Sequence, residues 1–553
     1  MTEGSHEAGK ASGVDDSANA SSGLSEPEVG QTGQFEAPYP GSREMPRWET
    51  GELIDAPRFT WRNWFALLGP GLVLGGGAIG GGEWLMGPAV TAKYGGTLMW
   101  LATLSIVGQV FYNIEISRYT LYTGEPIFTG KFRILPGPRF WVCAYLLLDF
   151  GAVFPYLAAN AATPLASVLL GGVIPDPMNN DMHWWLMRLL AYLIFLLAMV
   201  PMVVGGKIYN SLKALMSFKI VVVLGFLSVV AIFHSSASTW YEIFGGFLCF
   251  GSLPTGPSET TNLFVSVLNG QGVPEIDFST IALLAAFAAI AGSGGLSNAP
   301  ISNYTRDQGW GMGHHVGAIP SVVGGRNISL SHVGKVFEVT AESLPRWRRW
   351  YRHVVRDQVA VWMPACFLGV ALPSMLSVEF LPRGTEASSW VAAGMTAEGV
   401  RQHVGAAWGS SSGHIFWYMT MLCGFLVLAP SMATSADGVV RRWVDVFWTS
   451  STRLRKLDPG KIRGVYFGVL ICYAVFGMIV LSIAPPLDLL KIAANIFNYA
   501  LGVSCLHTLV VNVTLLPPGL KPGWFMRIGL FCGGLFFLLL AVITTLNLVG
   551  LLS

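Results

Sequence analysis

Gly75-Gly76-Gly77-Ala78-Ile79-Gly80-Gly81-Gly82-Glu83-Trp84 lies inside an apolar run from Trp64 to about Tyr94, and its reading decides the fold. Six glycines in eight positions fall where a membrane-crossing helix reaches the middle of the bilayer. Each glycine costs a helix interior about 1 kcal/mol relative to alanine, so a continuous helix through all six is disfavoured. A carboxylate, Glu83, follows directly. Backbone outside a helix survives at that depth only where protein buries it or water reaches it. Broken helices with polar groups at the midplane mark the binding sites of secondary transporters, where ionisable residues are functional by default. The plainer alternative is close helix packing through small residues, with Glu83 paired to a neighbour.

The rest of the chain agrees with a membrane setting. Of its 553 residues 52% are hydrophobic and only 12% charged, against about 25% charged in soluble chains. This composition predicts an all-α polytopic membrane protein embedded in a lipid bilayer. Basic residues sit in loops between apolar runs rather than on one face, which excludes a nucleic-acid partner. The seven cysteines lack paired spacing, so neither a disulfide framework nor a zinc site is indicated. No phosphate-binding Gly-x-x-x-x-Gly-Lys-Ser/Thr loop occurs, and no Ser/His/Asp or His-Glu-x-x-His grouping stands out. ATP-driven transport, enzymatic catalysis and a resident cofactor are therefore not expected.

Residues 1–55, rich in Gly, Ser and Glu, read as a disordered cytoplasmic tail. The transporter domain, 56–553, contains apolar runs near 64–94, 97–121, 139–170, 184–204, 212–234, 279–304, 357–378, 414–436, 464–484, 486–512 and 524–550. About 20 residues span the hydrocarbon, so the expectation is about eleven spans. The loops at 305–356 and 437–463 are dense in Lys and Arg, whereas 171–183 and 235–278 contain neither. Basic loops stay in the cytoplasm. That places the N-terminus inside and the C-terminus outside, in the plasma (inner) membrane.

Five spans after the first break, Ala291-Gly292-Ser293-Gly294-Gly295-Leu296-Ser297-Asn298-Ala299-Pro300 interrupts the sixth apolar run in the same manner. Two interrupted helices at matching positions of two five-span halves imply an inverted repeat, about 60–234 and about 279–512, followed by an extra helix at 524–550. The substrate then lies between the breaks of spans one and six.

At this point a resemblance enters. Gly69-Pro70-Gly71-Leu72, the glycine-rich break, Glu83-Trp84 and Lys93-Tyr94-Gly95 before Leu98-Met99-Trp100 resemble the first span of the Nramp family of divalent-metal transporters. That family has an Asp-Pro-Gly-Asn-Trp break, which falls without gaps on Gly80, Gly81, Gly82, Glu83 and Trp84. Thr123-Gly124-Glu125 and the stretch from Ser431 to Gly438 match its later segments loosely. The resemblance covers about 60–550 and implies a LeuT-like 5+5 inverted repeat with broken helices one and six, operating by alternating access.

The departures from the family bear on the substrate. Gly80 stands where the family has its metal-binding Asp, and the Met-Pro-His of span six falls approximately on Gly295-Leu296-Ser297. The soft thioether that favours transition metals is missing, as is the histidine linked to proton movement. What remains is oxygen: Glu83, Ser293, Ser297, Asn298 and exposed carbonyls, in a cavity widened by Gly80, Gly82 and Gly295. Such a pocket suits a hydrated Mg²⁺-like ion, which keeps several waters and needs one or two carboxylates, better than bare Mn²⁺ or Fe²⁺. The expectation is a divalent-cation transporter that is not proton-coupled, with Glu83 as the metal contact. Two alternatives stay open: a transporter of a small organic solute such as an amino acid, its carboxylate held by half-helix N-termini at Gly80–Gly82, and a non-transporting sensor on the same scaffold.

Other polar residues invite two readings each. Asp149 in span three is either part of an ion path, as acidic residues there are in the family, or a structural partner of a buried hydroxyl or amide. Asn495 and Asn498 share one face of span ten. The family uses an amide there during occlusion, and inter-helix hydrogen bonding is the alternative. Glu115 with Arg118 and Asp437 with Arg441 are expected ion pairs. Trp347-Arg348-Arg349-Trp350 is expected to lie on the anionic inner leaflet.

Overall fold

The computed structural model describes residues 35–60, 68–177, 179–204, 207–318, 331, 333–385, 389–451, 454, 456, 461–483 and 486–552. Helices carry the fold. Two short sheets accompany them: Glu49–Thr50 runs parallel to Lys335–Val336, and Ser252–Pro254 runs antiparallel to Thr260–Asn262. Among the described residues, nine helices are long and apolar enough to cross a membrane. One further pair, Pro70–Leu98 and Trp100–Thr123, is bent by 96°. The sequence reading divides that pair into two spans and so reaches eleven. By length and composition the described residues carry nine, or ten with the pair counted as one.

The first expected break is present. Helix α1 (Pro70–Ala78) ends where Ile79 leaves helical geometry at φ −64° and ψ 82°. After Gly80 and Gly81 the chain re-enters through a π-helical turn, Gly82–Met86, and continues as α2 (Gly87–Tyr94) and α3 (Trp100–Thr123). The glycines serve packing as well. A Cβ on Gly76 would lie 2.7 Å from Met216 Cβ in α4 (Ile208–His234), and one on Gly77 would lie 2.7 Å from Thr434 Oγ1. Interrupted helix and close packing, posed as alternatives by the sequence, coexist.

The second break separates α5 (Ile281–Ile290) from α6 (Pro300–Asp307). Gly292, Gly294 and Gly295 take φ of +99°, +67° and +53°. Side-chain-bearing residues rarely adopt these values, which is why glycine stands at all three positions. Two further helices complete the frame around the breaks: α7 (Ser410–Ser450) and α8 (Pro486–Leu515). The start of α1 is held by Asp357, whose carboxylate accepts from the N–H groups of Gly69 (3.0 Å) and Gly71 (2.6 Å).

Two expectations at the basic end are corrected. Residues 1–34 of the expected disordered tail lie outside the described residues, but the part from 37 onward is ordered. Trp48 is buried edge-on to Tyr122, with the Arg133 guanidinium over its ring. Arg346 and Arg349 bind Glu52 and Asp55. Met45, Trp48 and Leu53 anchor the segment through apolar burial that the surrounding Gly/Ser/Glu composition conceals. For the same reason Trp347 and Trp350 do not lie on a lipid leaflet. Both are buried in the protein, and Trp350 Nε1 donates to the carbonyl of Ile54. Of the 305–356 loop, residues 319–330 and 332 lie outside the described residues.

Candidate functional site

The two breaks meet at one carboxylate. Glu83, fully buried on the π-helical turn, accepts from Gly80 N–H through Oε2 at 2.9 Å and from Gly292 N–H through Oε1 at 2.9 Å. Gly80 belongs to its own break and Gly292 to the other, 209 residues away. A carboxylate has about four acceptor positions, so two are taken by backbone and two remain. Hydrogen bonds to an ionised acceptor are roughly twice as strong as neutral ones, which makes Glu83 the clasp between the half-helices.

Gln109 of α3 fixes the second break, and the sequence reading missed it. Its amide donates to Ala291 O (2.8 Å) and to Ser105 Oγ (2.9 Å). Its carbonyl accepts from Ser293 N–H (3.0 Å) and from Asn298 Nδ2 (2.7 Å). The available signal was a polar amide in the middle of the 97–121 apolar run, since a buried amide inside a membrane has to be satisfied by something nearby.

The structure therefore brings Gly80, Glu83, Ser293 and Asn298 into one network. Gly82 opens the turn that carries Glu83. Gly295 lies under an aromatic from α8, where an added Cβ would come within 2.5 Å of Phe497 Cδ1. Asn498, also on α8, donates to Ala285 O at 3.1 Å, on the helix leading into the second break. Ser297 is half-buried in the short turn Gly295–Asn298, its N–H on the carbonyl of Gly294. Ser293 Oγ, Asn298 Oδ1 and Asn498 Oδ1 are buried oxygens without a hydrogen-bond donor among the described residues.

Asp149 lies elsewhere. Arg442 of α7 engages it through Nε (3.0 Å) and Nη2 (2.8 Å), Trp443 Nε1 donates to it at 2.9 Å, and Arg442 Nη1 reaches the carbonyl of Leu296 at 3.2 Å. The neighbouring Arg441 pairs with Asp437 (2.6 Å), as expected, and also with Asp307 (2.5 Å) at the end of α6. Tyr304 donates to Asp437 at 2.8 Å. Buried ion pairs thus tie α6 to α7 beyond the second break, toward the basic loops. On the other side a narrow cleft is lined by Trp84, Leu85, Asn160, Thr163, Ser167 and Met421, next in sequence to Glu83 but without Glu83 in its wall, and reaches Ile174 in the segment without Lys or Arg. Among the described residues no group of three or more His, Cys, Asp or Glu could hold a metal ion.

The fold is that of solved manganese transporters. A crystal structure of the Eremococcus coleocola manganese transporter with an aromatic bis-isothiourea compound is 11% identical, with a TM-score of 0.56, covering 89% of this chain and 88% of that one. Two structures of its mutants give 13% and 12% identity with TM-scores of 0.57 and 0.56 over the same shares. At this identity the likeness speaks for the fold, which agrees with the helical membrane architecture with two broken helices expected from the sequence. No family model matches the sequence, and no curated protein does.

Proposed function

We propose that this protein is a secondary transporter that moves a divalent cation across a membrane by alternating access, through a site between the two breaks with Glu83 as its charged contact. One observation carries the reading. Glu83 accepts backbone N–H groups from both breaks and keeps two acceptor positions. The carboxylate is thereby joined to both half-helices and remains able to hold an ion or its waters. The same observation weighs against an organic solute held by its carboxylate, because the Gly80 and Gly292 N–H groups that would receive that carboxylate already bind Glu83.

The solved structures that share the fold are manganese transporters, which favours a metal ion as cargo. The donors here favour a hydrated, Mg²⁺-like ion: one carboxylate, the Ser293 hydroxyl, and the Asn298 and Asn498 amide oxygens, all hard, with no thioether. Glycine at 80 and Leu296-Ser297 near the family's Met-Pro-His position support flux without proton coupling. We take the membrane to be the plasma (inner) membrane, with the basic loops cytoplasmic.

The test is flux into proteoliposomes, comparing Mg²⁺ and Mn²⁺ with and without a pH gradient. Mg²⁺ entry indifferent to the gradient is the expected result. Entry of neither ion would sink the proposal and turn attention to an organic substrate or a sensor.

A further inference from the structure

The candidate site contains a positive charge of its own. Lys219 sits in the body of α4, a helix long and apolar enough to cross a membrane, and is fully buried. Its Nζ donates to the carbonyl of Val427 at 2.7 Å and to Ser431 Oγ, both on α7. Ser431 Oγ in turn donates to the carbonyl of Gly77 at 2.8 Å and lies 3.3 Å from that of Ile79. Those carbonyls end α1, where the helix dipole leaves partial negative charge and no helical N–H follows. Among the described residues no carboxylate lies within ion-pair distance of the ammonium, whose partners are the Val427 carbonyl and the Ser431 hydroxyl. The glycines make the arrangement possible. Gly76 admits Met216, one turn before Lys219, and Gly77 admits Thr434, one turn after Ser431.

Unwound carbonyls and half-helix C-terminal ends are the groups with which broken-helix transporters hold a monovalent cation, and here the Ser431 hydroxyl links such carbonyls to the ammonium. An isolated ammonium in an apolar span is costly, so its placement against these oxygens calls for a reason. We propose that Lys219 is a resident cation: its ammonium permanently fills a monovalent-cation site between α1, α4 and α7, so that no second ion has to bind there for the breaks to hold their arrangement. This rests on reading the breaks as a transport site. It adds that transport through them is independent of sodium or any other monovalent co-ion.

The experiment uses the full-length protein with Lys219→Ala, which removes the ammonium and vacates the site, and Lys219→Met, which fills the space without charge. Thermal unfolding in detergent and cation uptake in proteoliposomes are measured in choline, Na⁺ and methylammonium, with 1-propanol as the neutral control. The wild type should be indifferent to all four. Lys219→Ala should unfold earlier and recover by about 2 °C or more as Na⁺ or methylammonium rises, and not with propanol. Lys219→Met should show no such recovery. A wild type that requires Na⁺, or a Lys219→Ala protein rescued as well by propanol as by cations, overturns the inference. So does a Lys219→Met protein that transports at the wild-type rate in choline. The unfolding measurement does not depend on what is transported. Cation rescue of Lys219→Ala without divalent flux in the wild type would therefore retain the resident cation and overturn the proposed cargo.

Discussion

Replacing Glu83 by glutamine separates the two tasks assigned to that side chain. In the wild type both carboxylate oxygens accept backbone N–H groups, from Gly80 and from Gly292. A carboxamide offers one oxygen and one NH₂. Either break can keep its bond, but the other N–H then faces a donor. A buried donor left unsatisfied costs about 1–3 kcal/mol, which the folded protein can absorb. The effect on the ion is larger. A divalent ion held through one water, about 5 Å from the carboxylate, gains about 7 kcal/mol at an effective dielectric constant of about 20. Even a third of that, about 2 kcal/mol, is about thirtyfold in affinity. Glu83→Gln should therefore give an intact elution profile and a thermal midpoint lowered by a few degrees, with Mg²⁺ or Mn²⁺ uptake into proteoliposomes reduced at least about thirtyfold. Uptake within about threefold of the wild type at equal reconstitution, well short of that fall, would refute the reasoning and take Glu83 out of the transport path.

Three other outcomes follow from the geometry. Arg442→Gln strands Asp149 as a buried, unpaired charge and should cost about 3–5 kcal/mol of stability in denaturant unfolding. Asp149→Asn added to it should recover part of the loss, giving a non-additive double-mutant cycle. Gly295→Ala places a side chain at φ +53° with its Cβ 2.5 Å from Phe497 Cδ1, so it should lose about 1–2 kcal/mol from the backbone alone and more from the clash; Phe497→Leu should relieve only the second part. Lys131, in the short helix Ile127–Arg133 between α3 and the third span, is pushed by burial from 10.5 down to about 7. The unfolded chain thus holds a proton that the folded protein has released, so stability should rise with pH between about 7 and 10.5. Lys131→Met should remove that slope from thermal unfolding measured across the window.

How far the sequence discloses this arrangement depends on whether a feature is local. Both breaks are legible because glycine acts on its own backbone: Gly80–Gly82 and Gly292, Gly294 and Gly295 disfavour helix wherever the chain goes. Glu83 is legible because a carboxylate at mid-bilayer demands an explanation. Its partners are not, since Gly292 lies 209 residues away and nothing local forecasts that distance. Asp149 shows the same limit. Its partner, Arg442, stands 293 residues on, in a run the charge rule assigns to a basic loop, and both readings weighed for Asp149 missed an ion pair. Gln109 and Lys219 went unread for another reason. Attention to composition counts an apolar run as filler, although one amide or ammonium inside it has to find an oxygen or a donor. The ordered segment from 37 to 60 was hidden by averaging, because three apolar anchors among polar residues barely move the composition of a 55-residue tail.

The charges around the break also bear on which ion the pocket tolerates. Glu83 and Lys219 are one acid and one base, so whether both are ionised or both neutral the site without its ion is close to neutral. A divalent ion makes it carry about two excess positive charges. In a low-dielectric interior that excess is bearable only if the ion keeps waters that spread its field, because stripping them gives up hydration that one carboxylate and a few neutral oxygens do not replace. A fully dehydrated ion needs more negative charge than the described residues supply at the breaks. The absence of a soft ligand disfavours Mn²⁺ selectivity on chemical grounds, and the charge count disfavours dehydration on electrostatic ones. The two arguments are independent, since the first rests on Gly295-Leu296-Ser297 and the second on Lys219. The hydrated ion also accounts for how binding reaches the half-helices. A ligand shifts a conformational equilibrium only through differential affinity, and on the proposed function the carboxylate facing the ion is the group bonded to both breaks. Rearranging either half-helix removes one of those two N–H groups and changes the basicity of the oxygen the ion's waters touch. On the proposed function occupancy and the position of the breaks are coupled through that single side chain, which makes Glu83→Asp, with charge retained and reach shortened by one methylene, the substitution that should preserve ion binding while slowing its passage.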